Sequence, residues 1–191
     1  MIELYGMAMS PSTRKVRWAL EEAGVEYTLR EVNIPRGETR TEEFRRINPN
    51  GTVPTLVEDG FAMWESNAIV WHVAENAIPR NARERARVLQ WMFWEPSLYD
   101  PLHYLFLMKL GFFPPDGRDK HLAAATKQMA LFEAQLGDYV VEKFSPADIA
   151  LGAAVAQCPT IEFDLAPYPR VRAWFERIAA RPAFRRSHPE S

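Results

Sequence analysis

Three short segments of the sequence carry side chains suited to binding a small anionic or peptide-like ligand. The first is residues 7–13, between a predicted strand and a predicted helix. There the Ser10 hydroxyl could donate a hydrogen bond to an anion at the N-terminus of the helix. The alternative is that Ser10 or Ser12 only caps the helix, because a Ser-Pro pair often starts a helix. This segment alone leaves both interpretations open.

The second segment is Asn-Pro-Asn-Gly-Thr-Val-Pro-Thr-Leu at residues 48–56. Pro54 cannot donate to a β-ladder, which restricts it to a strand start, an edge or a bulge. A cis Val53–Pro54 bond would turn the chain so that Val53 offers its backbone N–H and C=O to a peptide-like ligand. A plain loop that enters a strand is the alternative.

The third segment, Glu65-Ser66-Asn67, begins a predicted helix. Its N–H groups and the Ser66 hydroxyl could hold a carboxylate, and Glu65 could pair with an ammonium. A helix cap with an acidic first turn explains the same residues, so this segment also leaves two interpretations.

The elements around these segments are of mixed type in the first half of the chain. Ile2 and Leu4 alternate with polar residues in a strand, and a helix of period 3.6 ends at Gly24. A second strand at 27–32 completes a βαβ unit, whose strands must be parallel. The remaining predicted elements are strands at 52–57 and 61–63, an Asp59-Gly60 hairpin turn between them, and a helix from about Glu65.

From residue 82 onward the pattern is entirely helical. Pro96 and Pro101 are expected to kink or split a long helix over 82–110. Ser145 and Asp148 form a capping-box pattern ahead of a later helix. A proline and the potential cap Asn81 mark a boundary at 78–81. The sequence therefore predicts an α/β domain at 1–78 and a helical domain at 82–191.

Composition excludes several classes of function. The chain has 191 residues, with 23 basic and 25 acidic side chains and a formal charge of −2, which argues against a nucleic-acid partner. The single cysteine, Cys158, excludes an intrachain disulfide and is expected to be buried packing. The four histidines are scattered, which predicts no metal site. We expect no membrane segment, no leader peptide and a cytoplasmic location.

Taken together and in this order, the segments resemble the cytosolic glutathione S-transferase family, in its serine-type form. The resemblance rests on Ser10, residues 14–24, 48–56, 64–69, 145–150 and 167–174, and spans nearly the whole chain. It implies a thioredoxin-like α/β N-terminal domain, an all-α C-terminal helical bundle and a homodimer.

The resemblance also implies roles for individual residues. Ser10 matches the serine that activates the glutathione thiol, assisted by the N-terminus of the first helix. Glu65 and Ser66 would bind the γ-glutamyl end of glutathione, and Val53 would pair with the cysteinyl backbone beside a cis Pro54. Arg40 would bind the glycyl carboxylate.

Two other residues could activate the thiol. Tyr5 would serve as in the tyrosine-type classes, although it lies one residue too far from the first helix for that pattern. Ser12 lies deeper in the helix start and looks more like a cap. The loop contains no cysteine, which disfavours the members of the family that exchange disulfides through their own thiol.

A hydrophobic electrophile is expected to bind between the domains, against apolar side chains. The candidates are Met7, Met9, Tyr104, Met108 and Phe112, together with Tyr99 and Phe113. The leading hypothesis is a glutathione transferase that uses glutathione as co-substrate. The alternatives are a catalytically silent glutathione-binding or interaction module, and a glutathione-dependent isomerase, dehalogenase or ether-cleaving enzyme.

Overall fold

The computed structural model describes residues 1–188, which form two compact units. One unit comprises Met1–Asn76 together with the segment that begins at Pro182, and the other is Ala77–Arg181. The strands are β1 (Ile2–Gly6), β2 (Tyr27–Glu31), β3 (Thr55–Glu58) and β4 (Phe61–Trp64). The helices are α1 (Pro11–Ala23), α2 (Glu42–Ile47), α3 (Ser66–Val73), α4 (Ala82–Lys109), α5 (Arg118–Gln135), α6 (Pro146–Val155), α7 (Pro169–Ala179) and α8 (Pro182–Ser187).

The sheet of the first unit has the strand order β2-β1-β3-β4. Strands β1 and β2 are parallel, as the predicted βαβ unit requires, and β3 is antiparallel to both β1 and β4. The β3–β4 turn uses Asp59 at φ 47° and Gly60 at φ 87°, so both central residues adopt the positive φ that a tight hairpin turn demands. The mixed sheet confirms the predicted α/β unit.

Helix α1 packs on the sheet because its apolar side chains repeat every three or four residues. Val16, Ala19 and Leu20 are fully buried with Leu4 of β1. The helix ends at Gly24, whose φ of 66° is the left-handed conformation of a C-terminal cap. The sequence prediction did not include α2, which has only six residues.

The C-terminal helix differs from the sequence expectation. The sequence predicts that residues from 182 onward belong to the helical domain 82–191, whereas α8 packs on α1 in the first unit. The physical reason is aromatic packing: the rings of Trp18 and Phe184 meet edge to face with centroids 5.0 Å apart. Residues 189–191, the last part of the predicted helical domain, lie outside the described residues.

The second unit consists of helices, as predicted. Asn81 caps α4 by accepting hydrogen bonds from the N–H groups of Arg83 and Glu84. Helix α4 runs unbroken over 28 residues despite Pro96 and Pro101, so the prolines do not split it. Among the described residues, no helix has the length and apolar character needed to cross a membrane.

Asp148 organises the start of α6. Its buried carboxylate accepts hydrogen bonds from the Ser145 N–H and hydroxyl, the Val140 N–H and the Trp174 indole. Burial raises the pKa of this carboxyl above its ordinary value, and the four donors oppose that rise. The predicted capping box is therefore present, and Asp148 also fixes the loop at Val140 and helix α7.

Candidate functional site

The strand register brings the three candidate segments to the same end of the strands, along one edge of the sheet that runs across them. Tyr5 of β1 pairs with Thr55 of β3, and Thr55 pairs with Trp64 of β4. The chain after β1, the chain before β3 and the chain after β4 therefore all leave the sheet at this edge, which we call the loop edge. Gly6 pairs with Glu31, so β2 also ends there.

Ser10 is the N-cap of α1. Its backbone is extended, its N–H donates to the Met7 carbonyl, and its Oγ accepts from the Thr13 N–H at 3.5 Å. This cap bond is long, and the hydroxyl hydrogen is still available for donation because the oxygen acts only as acceptor in it. Ser12 lies within the first turn of the same helix. Both sequence interpretations of Ser10, helix cap and anion donor, fit this geometry.

A close approach of α1 to β1 sets the position of Ser10. A Cβ added to Gly6 would lie 2.5 Å from Cγ2 and 2.6 Å from Oγ1 of Thr13, so only glycine fits at the end of the strand. Thr13 is fully buried, and its Oγ1 has no hydrogen-bond partner among the described residues.

Two charged residues that sequence reasoning did not single out fix the loop before Ser10. The Ala8 N–H donates to both carboxylate oxygens of Glu31, at 3.1 and 3.2 Å. The Arg14 guanidinium donates to the Ala8 carbonyl at 3.2 Å and to the Met9 sulfur at 3.2 Å. Met9 is half exposed. The order of charged residues in the sequence does not predict the contact between Ala8 and Glu31, because the two residues are 23 positions apart.

The second segment is fixed by a buried asparagine. The Asn48 amide donates to the Thr52 carbonyl at 2.8 Å and to the Thr55 hydroxyl at 3.0 Å. Its Oδ1 accepts from the Asn50 N–H, which closes the loop into a turn. The Val53–Pro54 bond is cis, and Val53 lies just outside the strand pairing that starts at Thr55.

The third segment lies at the N-terminus of α3. Ser66 is the first helical residue, and Glu65 before it has a φ of 70°, a rare conformation for a residue with a side chain. The ammonium of Lys15, which is 1 % exposed, donates to Ser66 Oγ at 3.3 Å and to Asn67 Oδ1 at 3.0 Å. Lys15 therefore connects α1 to the start of α3.

Arg40 lies in the short 3₁₀ helix Glu38–Arg40, between β2 and α2, and its side chain is exposed. The preceding residue, Thr39, is buried, and its carbonyl oxygen is 2.9 Å from the position of a Cβ on Gly51. The contact ties the 3₁₀ helix to the loop before Pro54, so Arg40 belongs to the same set of loops as the second segment.

Tyr5 has an electrostatic environment different from that of Ser10. Its hydroxyl donates to Glu3 at 3.3 Å. Burial raises the pKa of Tyr5, and the neighbouring Glu3 carboxylate raises it further. An adjacent carboxylate would also disfavour a thiolate at this hydroxyl.

The aromatic candidates of the second unit lie at the end of α4 and in the following loop. Tyr104 stacks on His121 with a centroid distance of 3.8 Å and on Phe113 at 4.9 Å. Phe112 is 54 % exposed, Met108 is half-buried, and Tyr99 is 92 % buried. Met7 and Met9 belong to the first unit, where Met7 is half-buried and Met9 is half exposed.

Cys158 follows α6 and is buried. Burial raises the pKa of its thiol to about 12, so it stays protonated at neutral pH. Among residues 1–188, no group of three His, Cys, Asp or Glu side chains has an arrangement that could bind a metal ion.

Comparison with known proteins identifies the family. Residues 9–76 match the model of the glutathione S-transferase N-terminal domain, and residues 102–182 match that of the C-terminal domain. Glutathione S-transferase D7 of Anopheles gambiae is 34 % identical over 91 % of this chain and 84 % of its own length. The Disulfide-bond oxidoreductase YfcG of Escherichia coli K12 is 32 % identical, over 96 % of this chain and 92 % of its own.

A solved structure agrees with these matches. The glutathione S-transferase from Pseudomonas fluorescens Pf-5 superposes with a TM-score of 0.89 at 34 % identity, covering 95 % of this chain and 96 % of that one. The chain therefore belongs to the glutathione S-transferase family. The predicted thioredoxin-like N-terminal domain and helical C-terminal domain are confirmed by the matching domains and by the mixed sheet.

Proposed function

We propose that this protein binds glutathione at the loop edge and transfers it to small hydrophobic electrophiles. The observation that carries the proposal is the register Tyr5–Thr55–Trp64, because it gathers Ser10, Val53–Pro54 and Glu65–Ser66 at one edge. A ligand with a thiol between two charged ends needs three such contacts. Ser66 and Glu65 take the γ-glutamyl end, Val53 the cysteinyl backbone and Arg40 the glycyl carboxylate.

Ser10 activates the thiol in this proposal. Its hydroxyl donates to the sulfur, and the N-terminus of the 13-residue helix α1 favours negative charge there. Lowering a thiol pKa by about 2 units requires about 2.7 kcal/mol. A hydrogen bond to an ion contributes about 1.5–3 kcal/mol and a helix terminus about 0.3–1 kcal/mol, so the two together suffice.

The chemical step is a nucleophilic substitution or addition. The thiol proton passes to solvent, and the thiolate forms a bond to the electrophilic carbon. In a substitution, a leaving group departs with the electron pair of its bond to that carbon. In an addition, the π-electron pair moves onto the acceptor, which then takes a proton from solvent. The candidates for the apolar surface are Met7, Met9, Tyr104, Met108 and Phe112. Because Tyr104 is stacked on Phe113 and His121, we expect its edge and hydroxyl, rather than its faces, to meet the electrophile.

The test compares Ser10→Ala with Ser12→Ala and Tyr5→Phe, using chlorodinitrobenzene as the model aryl halide. We expect Ser10→Ala to raise the thiol pKa of bound glutathione by about 1–2 units and to lower kcat/KM at slightly acidic pH by about 10–100-fold. The other two variants are expected to stay within about threefold of the wild type. The thiol pKa is measured by the ultraviolet absorbance of the thiolate in the binary complex.

Three results would contradict the proposal, each in a different part. Full activity in Ser10→Ala would remove the assignment of the activator. If calorimetry shows no glutathione binding at millimolar concentration, the proposed enzymatic function is excluded. Binding without turnover of any electrophile would favour a silent binding module.

The likeness to the disulfide-bond oxidoreductase favours a second reaction of the same thiolate. Glutathione thiolate would attack a disulfide to give a mixed disulfide and a free thiol. A second glutathione thiolate would then attack the glutathione sulfur of the mixed disulfide, which forms glutathione disulfide and releases the other thiol. The protonated, buried Cys158 does not suit attack. A Cys158→Ala variant is therefore expected to keep any disulfide reductase activity.

We also propose a homodimer. Strand β4 is one of the two edge strands of the sheet, and its Phe61 and Trp64 side chains are 56 % and 39 % exposed. Exposed aromatic side chains on an edge strand favour association with another copy of the chain, which would cover them. Light scattering tests this directly, and a monomer mass would contradict it.

A further inference from the structure

Lys15 is a buried charge at the loop edge to which the proposed mechanism gives no role. It lies on the face of α1 that also carries Pro11 and Ala19, and it is 1 % exposed. Lysine is rarely buried to this extent unless its ammonium has polar partners, because removing the charge from water is unfavourable. Here the ammonium donates to Ser66 and Asn67, at the N-terminus of α3.

These two hydrogen bonds determine what the start of α3 can offer a ligand. An ammonium only donates, so Ser66 Oγ acts as acceptor toward Lys15 and its own hydrogen must point elsewhere. For the same reason the amide oxygen of Asn67 faces Lys15, and its NH₂ group is directed away. The Ser66 hydroxyl is thus set as a donor beside the N–H groups of the first turn.

We propose that Lys15 is a positioning residue that makes the start of α3 selective for a carboxylate. It orients the Ser66 hydroxyl as a donor and adds a positive charge beneath the helix N-terminus, without touching the ligand itself. The inference rests on the proposed glutathione site. There, the carboxylate is that of the γ-glutamyl end, and the neighbouring Glu65 receives the ammonium of the same end.

The experiment separates this role from a general loss of structure by using two ligands. One is glutathione, and the other is 4-aminobutyryl-cysteinyl-glycine, which lacks only the γ-glutamyl carboxylate. Calorimetry gives Kd for each ligand with the wild type, Lys15→Met, Lys15→Arg and the control Lys127→Met. Lys127 is an exposed residue of α5, so its replacement removes one positive charge far along the chain from the site.

In Lys15→Met we expect glutathione to bind about tenfold more weakly and the analogue to stay within about twofold. Lys15→Arg should regain part of the loss, because it restores a buried cation with donors. Lys127→Met should match the wild type for both ligands. The thiol pKa of bound glutathione should not change in Lys15→Met, since Ser10 sets it.

A double variant tests the same role in case the single variant Lys15→Met does not fold. Lys15→Met combined with Asn67→Leu replaces the ammonium and one of its acceptors by apolar side chains, so that the Asn67 amide oxygen is not left without the Lys15 donor. It is expected to show the same selective loss for glutathione.

Three outcomes overturn the inference. Glutathione affinity within threefold of the wild type in Lys15→Met shows that the charge does not matter to the carboxylate, and an equal loss of both ligands shows a purely structural role. If the wild type binds neither ligand, the proposed function itself fails, and the inference fails with it.

Discussion

Acidification tests the packing of the C-terminal helix on α1 through one histidine. The ring of His188 stacks on Phe184 with centroids 4.1 Å apart and meets Trp18 edge to face at 6.2 Å. Burial lowers the pKa of His188 from 6.5 to about 4, and the nearby charges of Arg14 and Arg17 act in the same direction. The Phe184 carbonyl, which faces Nδ1, opposes the shift.

The sign and size of the effect follow from linkage between protonation and folding. Because the pKa is lower in the folded state, the unfolded chain takes up the proton first as the pH falls below about 6.5. Stability is therefore unaffected by this group above that pH and decreases between about 6.5 and about 4. A shift from 6.5 to about 4 corresponds to at most about 3.4 kcal/mol. Since the ring is only partly buried, we expect a loss of about 1–2 kcal/mol at pH 5.

The measurement is urea denaturation of the wild type and His188→Phe at pH 8 and pH 5. Phenylalanine keeps the stack on Phe184 but cannot take up a proton, so it should lose about 1–2 kcal/mol less than the wild type between the two pH values. The variant itself is expected to be up to about 1 kcal/mol less stable at pH 8, because it lacks the hydrogen bonds of Nδ1. An NMR titration of the ring, assigned by its absence in the variant, gives the pKa directly.

Equal pH dependence of the two proteins would refute the reasoning. So would a His188 resonance that titrates near 6.5, because the ring would then be solvated and α8 would not cover it. A titration near 4 with no difference in stability would mean that the unfolded chain shares the same environment.

Two further predictions concern buried polar groups. Thr13→Val keeps the shape of the side chain and removes the unsatisfied Oγ1, so we expect urea denaturation to show a gain of about 1 kcal/mol with activity unchanged; a loss of stability would mean that this hydroxyl has a bound partner. Asp148→Asn leaves some of the four donors facing an NH₂ group, and should be less stable by about 3 kcal/mol or more. The exposed Asp164→Asn is the matched control, expected within about 1 kcal/mol of the wild type, and equal effects of the two changes would contradict this account.

Local signals in the sequence predicted the parts of the fold that a few neighbouring residues decide. The Asp59-Gly60 turn, the Asn81 cap and the left-handed Gly24 each follow from the conformational preference of one residue type. The capping box at Asp148 is of the same kind. Each of these interactions spans at most a few residues, so the pattern of residue types contains the necessary information.

Interactions between distant residues could not be predicted in this way. Lys15 and Ser66 are 51 residues apart, and helical periodicity alone describes Lys15 as one of several basic residues on a surface helix. The sequence predicts that β3 begins at Thr52, whereas the strand begins at Thr55. The buried Asn48 holds Thr52 in the preceding turn by donating to the Thr52 carbonyl and the Thr55 hydroxyl, and these contacts are not visible in the pattern of residue types. Pro96 and Pro101 did not end α4, since the packing of neighbours such as Leu98 and Leu102 outweighs the lost backbone hydrogen bonds.

The charge at the loop edge explains how a protein with a formal charge of −2 suits an anionic ligand. Glutathione as the thiolate has two carboxylates, one ammonium and a sulfur anion, and thus a net charge of −2. In the proposed site, the N-termini of α1 and α3, the buried Lys15 and the exposed Arg40 provide positive potential for these anions. Glu65 pairs with the single ammonium. Because a buried charge is screened less than an exposed one, Lys15 contributes more to this local field than its share of the total charge suggests. The arrangement of a few groups at one edge, rather than the net charge of the chain, is what makes this surface favourable for an anion.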